Sequence, residues 1–465
     1  MRTIFSFFFT LSISILSHAQ LIRTIADSSD EQIRFGINKI YEARNKSIKD
    51  YLLIHIVADS VTSLQVAKEA NLAVPRQLGD QCYAIRIEQT GKSKKIYILA
   101  SGSTGAMYGA LDIAEALECN SLNRLTESDN APYITKRGIK FNIPLDLRTP
   151  TYSDPADANQ LNIGNVWDLN FWQEYFDQMA VHRYNVMTWW SLQPFPSMVK
   201  VPEFPDIALK DVWRTKEKYD DTYSSQGAGF DRPILFKNVE IVKKMTIDEK
   251  IVFWKQVMQM AADRGIDIYL FTWNLFIYGT EGKYGITRDQ NNETTIKWFR
   301  ASVREMIKTY PLLRGIGITA GEQMDNKRTD EYANEKWLWK TYGEGIRDGL
   351  KGQPGRKFTL IHRFHWASMK EIQEAFANLP CRLELSLKYA IAHMYSIPNP
   401  QFVLPAMPLL SPQVQSWLTL SNDDIYSFRW ANNDFARQFI RSIPDIEKIA
   451  GFYMGPDGYC WGRDY

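Results

Sequence analysis

The sequence predicts an α/β protein, a (β/α)8 TIM barrel preceded by a small α/β domain. Three observations carry that expectation. Beyond Pro132, short apolar strands alternate with long helical stretches to the end of the chain. Ahead of that point, three β-branched runs and a glycine turn form a separate unit. The chain of 465 residues also exceeds what one ordinary core accommodates.

The first element is not part of the fold. MRTIFSFFFTLSISILSHAQ carries one Arg, then an apolar run from Ile4 to Leu16, then Ser17-His18-Ala19. This is the pattern of a secretory signal peptide over residues 1–19, with Gln20 as the expected mature N-terminus. The run is shorter than the ~20 residues a spanning helix needs. Export to the periplasm or the extracellular space is expected, without a membrane anchor.

The small domain is expected over residues 20–130. Leu52–Val57, Cys82–Ile87 and Lys95–Ala100 read as strands. The third runs into Ser101-Gly102-Ser103-Thr104-Gly105 and an apolar-periodic helix from Ala106 to Leu117. Strand, glycine turn, helix is the general form of an anion cradle. The spacing matches neither a phosphate loop nor a dinucleotide fingerprint, so a tight strand-to-helix turn is the expectation.

The barrel is expected over residues 133–465. Its eight strands are Gly138–Asp146, Tyr184–Ser191, Asp267–Asn274, Leu313–Gly321, Phe358–Trp366, Arg382–Ala390, Ile425–Ala431 and Ile449–Asp457. Helices are expected at Leu169–His182, Asp248–Arg264, Asn292–Tyr310 and Ala333–Leu350. Phe195–Thr246 would be an elaborated loop after strand 2. The chain stops at Tyr465, which leaves no room for an eighth helix. Either the barrel closes unusually or the sequence is a piece of a longer protein.

Charge and composition narrow the partners. The 55 basic and 53 acidic residues interleave to a net +2, which gives no reason to expect nucleic acid or an anionic membrane. The 14 Trp are too many for simple filling and suit a face that stacks on sugar rings. Cys82, Cys119, Cys381 and Cys460 form no C-x-x-C pair, and the six His offer no zinc set. Four buried thiols are expected, and no metal or cofactor.

In such barrels the catalytic residues sit at the C-terminal ends of the strands. Strand 1 ends near Asn142 and Asp146, strand 2 at Trp189-Trp190, strand 3 at Trp273-Asn274. Strand 4 ends at Gly321-Glu322; strand 5 offers Arg363, His365 and Trp366, and strand 6 Lys388. Strand 7 offers Arg429 and Trp430, and strand 8 runs through Asp457. Glycoside hydrolysis needs two carboxyl groups, one protonated. Glu322 follows an apolar strand and a small-residue turn, where desolvation raises a carboxyl pKa. It is the expected general acid. Asp457, in a Gly455-Pro456 turn, is the expected second carboxylate; Asp146 and Asp434 are rivals with a structural role as loop caps. Glu384 lies deeper and reads as half of a buried charge pair. Arg363, Lys388 and Arg429 would gather around an acidic sugar.

The segment from Ile98 to Leu111, Ile-Leu-Ala-Ser-Gly-Ser-Thr-Gly-Ala-Met-Tyr-Gly-Ala-Leu, resembles the small domain before the barrel in α-glucuronidases and β-N-acetylhexosaminidases. Lys136-Arg137-Gly138-Ile139-Lys140 is similar to the entry into those barrels. The resemblance implies a catalytic acid just after strand 4, the place of Glu322. Hexosaminidases of this type precede that Glu with an Asp that orients the substrate acetamide; here Gly321 stands there. The α-glucuronidases hold the uronate with basic residues on strands 5 and 6, which Arg363 and Lys388 match. The base of that family is absent after Lys388, where the sequence reads Tyr389-Ala390-Ile391-Ala392-His393. A divergent relative is implied.

The expected function is therefore an exo-acting glycoside hydrolase on polysaccharide-derived oligosaccharides, one that releases a uronic acid. Glu322 and Asp457 would be catalytic. Arg363, His365, Lys388, Arg429, Trp189, Trp190, Trp273, Asn274, Trp366 and Trp430 would bind substrate. The alternatives are a β-N-acetylhexosaminidase-like enzyme and a non-catalytic carbohydrate-binding barrel. The sugar, the linkage, the stereochemistry and the oligomeric state stay open.

Overall fold

The structure is a computed structural model. It describes residues 22–43, 51–91, 93–151, 157–217, 233–321, 323–364, 368–388, 401–421, 433–443 and 445–455. The chain divides into two compact units, Met1–Pro132 and Tyr133–Tyr465.

The first unit is a five-stranded sheet with helices. In chain order it holds β1 (Ile22–Ile25), α1 (Glu31–Glu42), β2 (Leu52–Val57), α2 (Ser60–Glu69), β3 (Tyr83–Thr90), β4 (Ser93–Ala100), α3 (Ser103–Glu118) and β5 (Ser128–Asn130). The sheet order is β1-β2-β4-β3-β5. Strands β1, β2 and β4 are parallel, and β3 runs antiparallel to β4 and β5. The glycine turn before α3 is filled by the unit's own acidic side chains. Ser103 donates to Asp30 at 2.6 Å, and Thr104 donates to Gln32 at 2.9 Å with the Asp80 carboxylate 3.3 Å away. A Cβ on Gly102 would meet the Asp80 carboxylate at 2.4 Å. It is a packing turn, as its spacing suggested.

The second unit is a closed parallel barrel. Its elements are β6 (Arg137–Asn142), α4 (Asp157–Asn162), α5 (Leu169–Val181), β7 (Val186–Trp190), α6 (Phe195–Met198), β8 (Val212–Thr215), β9 (Val239–Lys243) and α7 (Ile247–Ala262). Then follow β10 (Asp267–Trp273), α8 (Glu293–Thr309), β11 (Leu313–Thr319), α9 (Asn334–Leu338), α10 (Glu344–Leu350), β12 (Thr359–Phe364), α11 (Met369–Ala375), β13 (Arg382–Lys388), β14 (Ser416–Ser421), α12 (Asn433–Arg441) and β15 (Ile449–Gly455). The barrel order is β6-β7-β10-β11-β12-β13-β14-β15, and Tyr453 of β15 pairs with Gly138 of β6 to close it. Helix starts are chemically set: Thr246 and Glu249 form a capping box on α7, and Asn292 caps α8. The expected loop after strand 2 contains α6 and the antiparallel pair β8–β9.

Seven of the eight expected strands coincide with observed ones, trimmed at their ends. The seventh does not. The observed strand is Ser416–Ser421, whereas Ile425–Ala431 lies outside the described residues. Trp417 and Thr419 of β14 belong to the barrel interior and Leu418 to the outer core, the period-two pattern of a strand. The thiols also differ from expectation: Cys119, at the end of α3, is exposed, and Cys82 is partly so. Cys381 is also only partly exposed, and desolvation pushes its thiol up to about 12. Cys460 lies outside the described residues.

The barrel interior is built by pairing rings with glycines. Tyr269, Phe271 and Trp273 of β10 point inward. Their neighbours on β11 are Gly315, Gly317 and Thr319. A Cβ on Gly317 would meet the Phe271 ring at 2.2 Å, and one on Gly315 would meet Tyr269 at 2.8 Å. Two absent side chains make room for two rings.

Candidate active site

The strand ends around the barrel mouth place the functional candidates. On β6, Phe141 packs outward against Phe171, Trp172 and Tyr175, so Lys140 and Asn142 face inward by alternation. The same rule separates the adjacent tryptophans of β7. Trp190 lies in the interior cluster, while Trp189 packs outward against Trp172 and Trp254 of the helix layer. Trp189 is therefore a core residue and no substrate contact. Successive side chains of a strand cannot face the same mouth.

Trp190 organises the floor. Its ring stacks on Phe271 at 4.2 Å and 11°, and its indole N–H donates to Thr188 at 2.7 Å. Trp273 meets it edge-on at 5.4 Å. Lys140 Nζ lies 4.7 Å from the Trp190 ring centroid and the Arg363 guanidinium carbon 5.4 Å. Both cations are buried, 4% and 5% exposed. A π-face attracts cations, and more strongly once water is excluded. Trp190 thus acts as a seat for charge, with its ring already covered, rather than as an open stacking platform. Lys140 was not among the expected binding residues; the alternation of Gly138, Lys140 and Asn142 is the signal that could have found it.

The neighbouring ends carry strain and polar groups. Asn274 is fully buried and donates its amide to the Thr319 carbonyl at 2.7 Å. The next residue, Leu275, is held at φ +50, a conformation that costs a bulky L-residue about 1–2 kcal/mol. Gly321 and Gln323, the residues on either side of position 322, have φ +97 and +65. Non-glycine residues in this region cluster where surrounding structure enforces a functional geometry. Helices α9 and α10 are joined by a π-turn, Trp339–Gly343, which presents Tyr342 so that its hydroxyl donates to the Trp273 carbonyl at 3.2 Å. Behind Arg363, buried His362 meets Glu335 at 2.8 Å and ties β12 to α9.

Other expectations resolve one by one. Asp146 is fully buried and clamped by Arg148 at 2.7 and 2.8 Å; it also accepts the Trp213 N–H at 3.0 Å. That is a loop cap and removes it as a rival carboxylate. Asp434 opens α12, exposed, and pairs with Arg437 at 3.2 Å. Glu384 is buried deep in the barrel and is held by Lys136 at 3.2 Å, Arg382 at 2.8 Å and the Trp417 indole at 2.6 Å. It is part of a buried charge cluster, as expected. Lys388 closes β13 in register with Thr419. Glu322, His365, Trp366, Arg429, Trp430 and Asp457 lie outside the described residues. The expectation that Arg429 and Trp430 end strand 7 is corrected: β14 ends at Ser421. No group of His, Cys, Asp and Glu able to hold a metal occurs among the described residues.

No protein-family model and no curated protein matches this sequence. Solved structures do. A GH138 enzyme targeting pectin rhamnogalacturonan II is 18% identical with a TM-score of 0.61, and the match covers 94% of this chain and 46% of that one. CpGH84B is 11% identical with a TM-score of 0.51, covering 94% and 64%. A GH20 β-N-acetylhexosaminidase from Streptomyces coelicolor A3(2) is 9% identical with a TM-score of 0.47, covering 95% and 83%. The chain spans about half the length of the first and under two-thirds of the second. Across nearly all its length, this chain has the fold of the GH138 and GH84 structures.

Proposed function

We propose that this chain is a glycoside hydrolase, exo-acting on polysaccharide-derived oligosaccharides and releasing a uronic acid, with Glu322 as general acid. The observation that carries this reading is the pair of buried cations, Lys140 and Arg363, gathered on the Trp190 ring. An ammonium and a guanidinium placed together at the strand ends suit contact with a ligand carboxylate, because charge-assisted hydrogen bonds are strong where water is scarce. The shared fold with the GH138 and GH84 structures and the left-handed backbone at Gln323, beside position 322, support it.

In this reading a sugar enters with its carboxylate toward Arg363 and Lys140, which fixes the ring over the floor. Glu322 delivers a proton to the departing glycosidic oxygen while the bond to the anomeric carbon breaks. Asp457 is the second carboxylate, acting on water or directly on the anomeric carbon. A carboxyl separation of ~5–5.5 Å gives retention of configuration and ~6.5–9.5 Å gives inversion. The chain is exported in this reading, and its substrate is a polymer fragment outside the cell.

The test is hydrolysis of a panel of uronic-acid-bearing and neutral oligosaccharides by the wild type and Glu322→Gln. Loss of the acid should cut turnover ~10²–10⁴-fold, the usual weight of general acid–base catalysis. Release of a uronic acid by the wild type alone supports both the reaction and the acidic sugar. Equal rates in the two proteins remove Glu322 as the acid. Release of neutral sugars only would remove the role given to the two cations.

A further inference from the structure

Three side chains at the C-terminal strand ends of the barrel carry polar atoms that are shielded from solvent and find no hydrogen-bond partner among the described residues. Both amide atoms of Asn142 are in this state, as are the amide oxygen of Asn274 and the hydroxyl of Thr319. Asn274 and Thr319 are 0% and 1% exposed. Each lies at the C-terminal end of its strand, on β6, just after β10, and on β11. The ladder relates them across β7: Asn142 is in register with Trp190, Trp190 with Phe271 of β10, and Trp273, next to Asn274, with Thr319.

Buried polar groups in native proteins are almost always paired, and a lone exception calls for a cause. Other buried side-chain atoms share this state elsewhere in the chain, among them the Trp254 and Trp298 indoles and the Ser302 hydroxyl, but here four of them fall on three side chains at one end of one barrel. Nor is their placement slack, because Asn274 is pinned through its Nδ2 to the Thr319 carbonyl and followed by Leu275 at φ +50. The arrangement is held in spite of its unmet hydrogen bonds.

We propose that Asn142, Asn274 and Thr319 form a diol-reading subsite that recognises adjacent free hydroxyls of the sugar held in the mouth. A carboxamide offers a donor and an acceptor side by side. It can therefore give a hydrogen bond to one hydroxyl and take one from its neighbour, which is the signature of a vicinal diol. The Asn274 carbonyl and the Thr319 hydroxyl serve a further hydroxyl from the β10–β11 side. The consequence for specificity is rejection of deoxy and O-methylated sugars, since a missing hydroxyl leaves buried groups unpaired again. This inference rests on the glycosidase reading and names which ligand groups that mouth selects.

The experiment measures binding of glucuronic acid, galacturonic acid, N-acetylglucosamine and rhamnose by calorimetry and saturation-transfer NMR. The tightest binder is then compared with its monodeoxy and mono-O-methyl analogues. The proteins are the wild type, Asn142→Leu, Asn274→Leu and the near-isosteric Thr319→Val, whose melting point reports an intact fold. The wild type should prefer the intact sugar over at least one analogue by about ten-fold or more. In Asn142→Leu or Thr319→Val that preference should collapse toward one. A merely structural role would weaken intact sugar and analogue alike and leave the preference unchanged, which overturns the subsite. Wild-type affinity in all three variants overturns it too, and means that ordered water satisfies these atoms. Silence of the wild type toward every sugar would sink the glycosidase reading itself, and the subsite with it.

Discussion

Lys250 illustrates what burial does to a single charge. It sits inside the barrel unit near the start of α7, fully buried, with its amine donating to the Asp211 carbonyl and lying 5.4 Å over Trp167. Desolvation dominates and lowers its pKa to about 8, against opposing attraction from Asp146 and Asp211 and with added repulsion from Arg148. Between pH 8 and about 10.4, the unfolded chain keeps a proton that the native chain has released. This group's contribution to stability therefore rises with pH across that window, and the full cost, roughly 3 kcal/mol, applies below pH 8. Lys250→Met should raise the melting temperature at pH 7 and flatten its rise between pH 8 and 10. Parallel curves for the two proteins would show that the amine is not desolvated. At this scale the sequence was readable only in part. Lys140 and Trp189 both follow from alternation once β6 and β7 are bounded, but a Trp-Trp pair at a strand end invites reading both as contacts. Which one turns inward depends on a one-residue register that the helices behind Trp189 decide.

Among the elements, β11 matters for what it lacks. Its inner positions below the mouth are Gly315 and Gly317, and Phe271 occupies the space a Gly317 side chain would need. Gly317→Ala should lower stability by about 1–3 kcal/mol through overpacking, read as a shifted urea midpoint at unchanged slope. The π-turn is the second device. Tyr342→Phe should cost about 1 kcal/mol by leaving the Trp273 carbonyl without that hydroxyl. A loss of activity larger than that stability change would mean the turn positions the β10 end. Strand β14 shows where element-level reading failed. It is preceded by a 3-10 segment with Pro405 and Pro408, so its six residues look like loop, and the later apolar run looked more like a strand. Position in a closed barrel settled it, since a strand there must pair with both β13 and β15.

On the scale of the whole molecule, the barrel's parallel closure was legible because eight strand–helix alternations leave few other ways to bury both faces. The site was less legible, because it is assembled from ends that the chain keeps far apart. Lys140 and Arg363 meet at one ring only through the barrel's curvature. The near-neutral balance of 55 basic and 53 acidic residues gives little long-range field. Binding of a sugar acid should then depend weakly on salt, because the cations that would hold it are buried and poorly screened. Raising ionic strength from ~0.05 to ~0.5 M should change its affinity less than about three-fold, whereas a steep decline would place the contact at the surface. The glycine-for-ring exchange between β10 and β11 has a historical consequence. A side chain at position 317 and a large ring at position 271 exclude each other, so neither can be gained where the other already stands. Gly317→Ala should be rescued by Phe271→Leu although each change alone is harmful. The order in which such a barrel can drift is thus restricted: the ring must shrink before the glycine can grow.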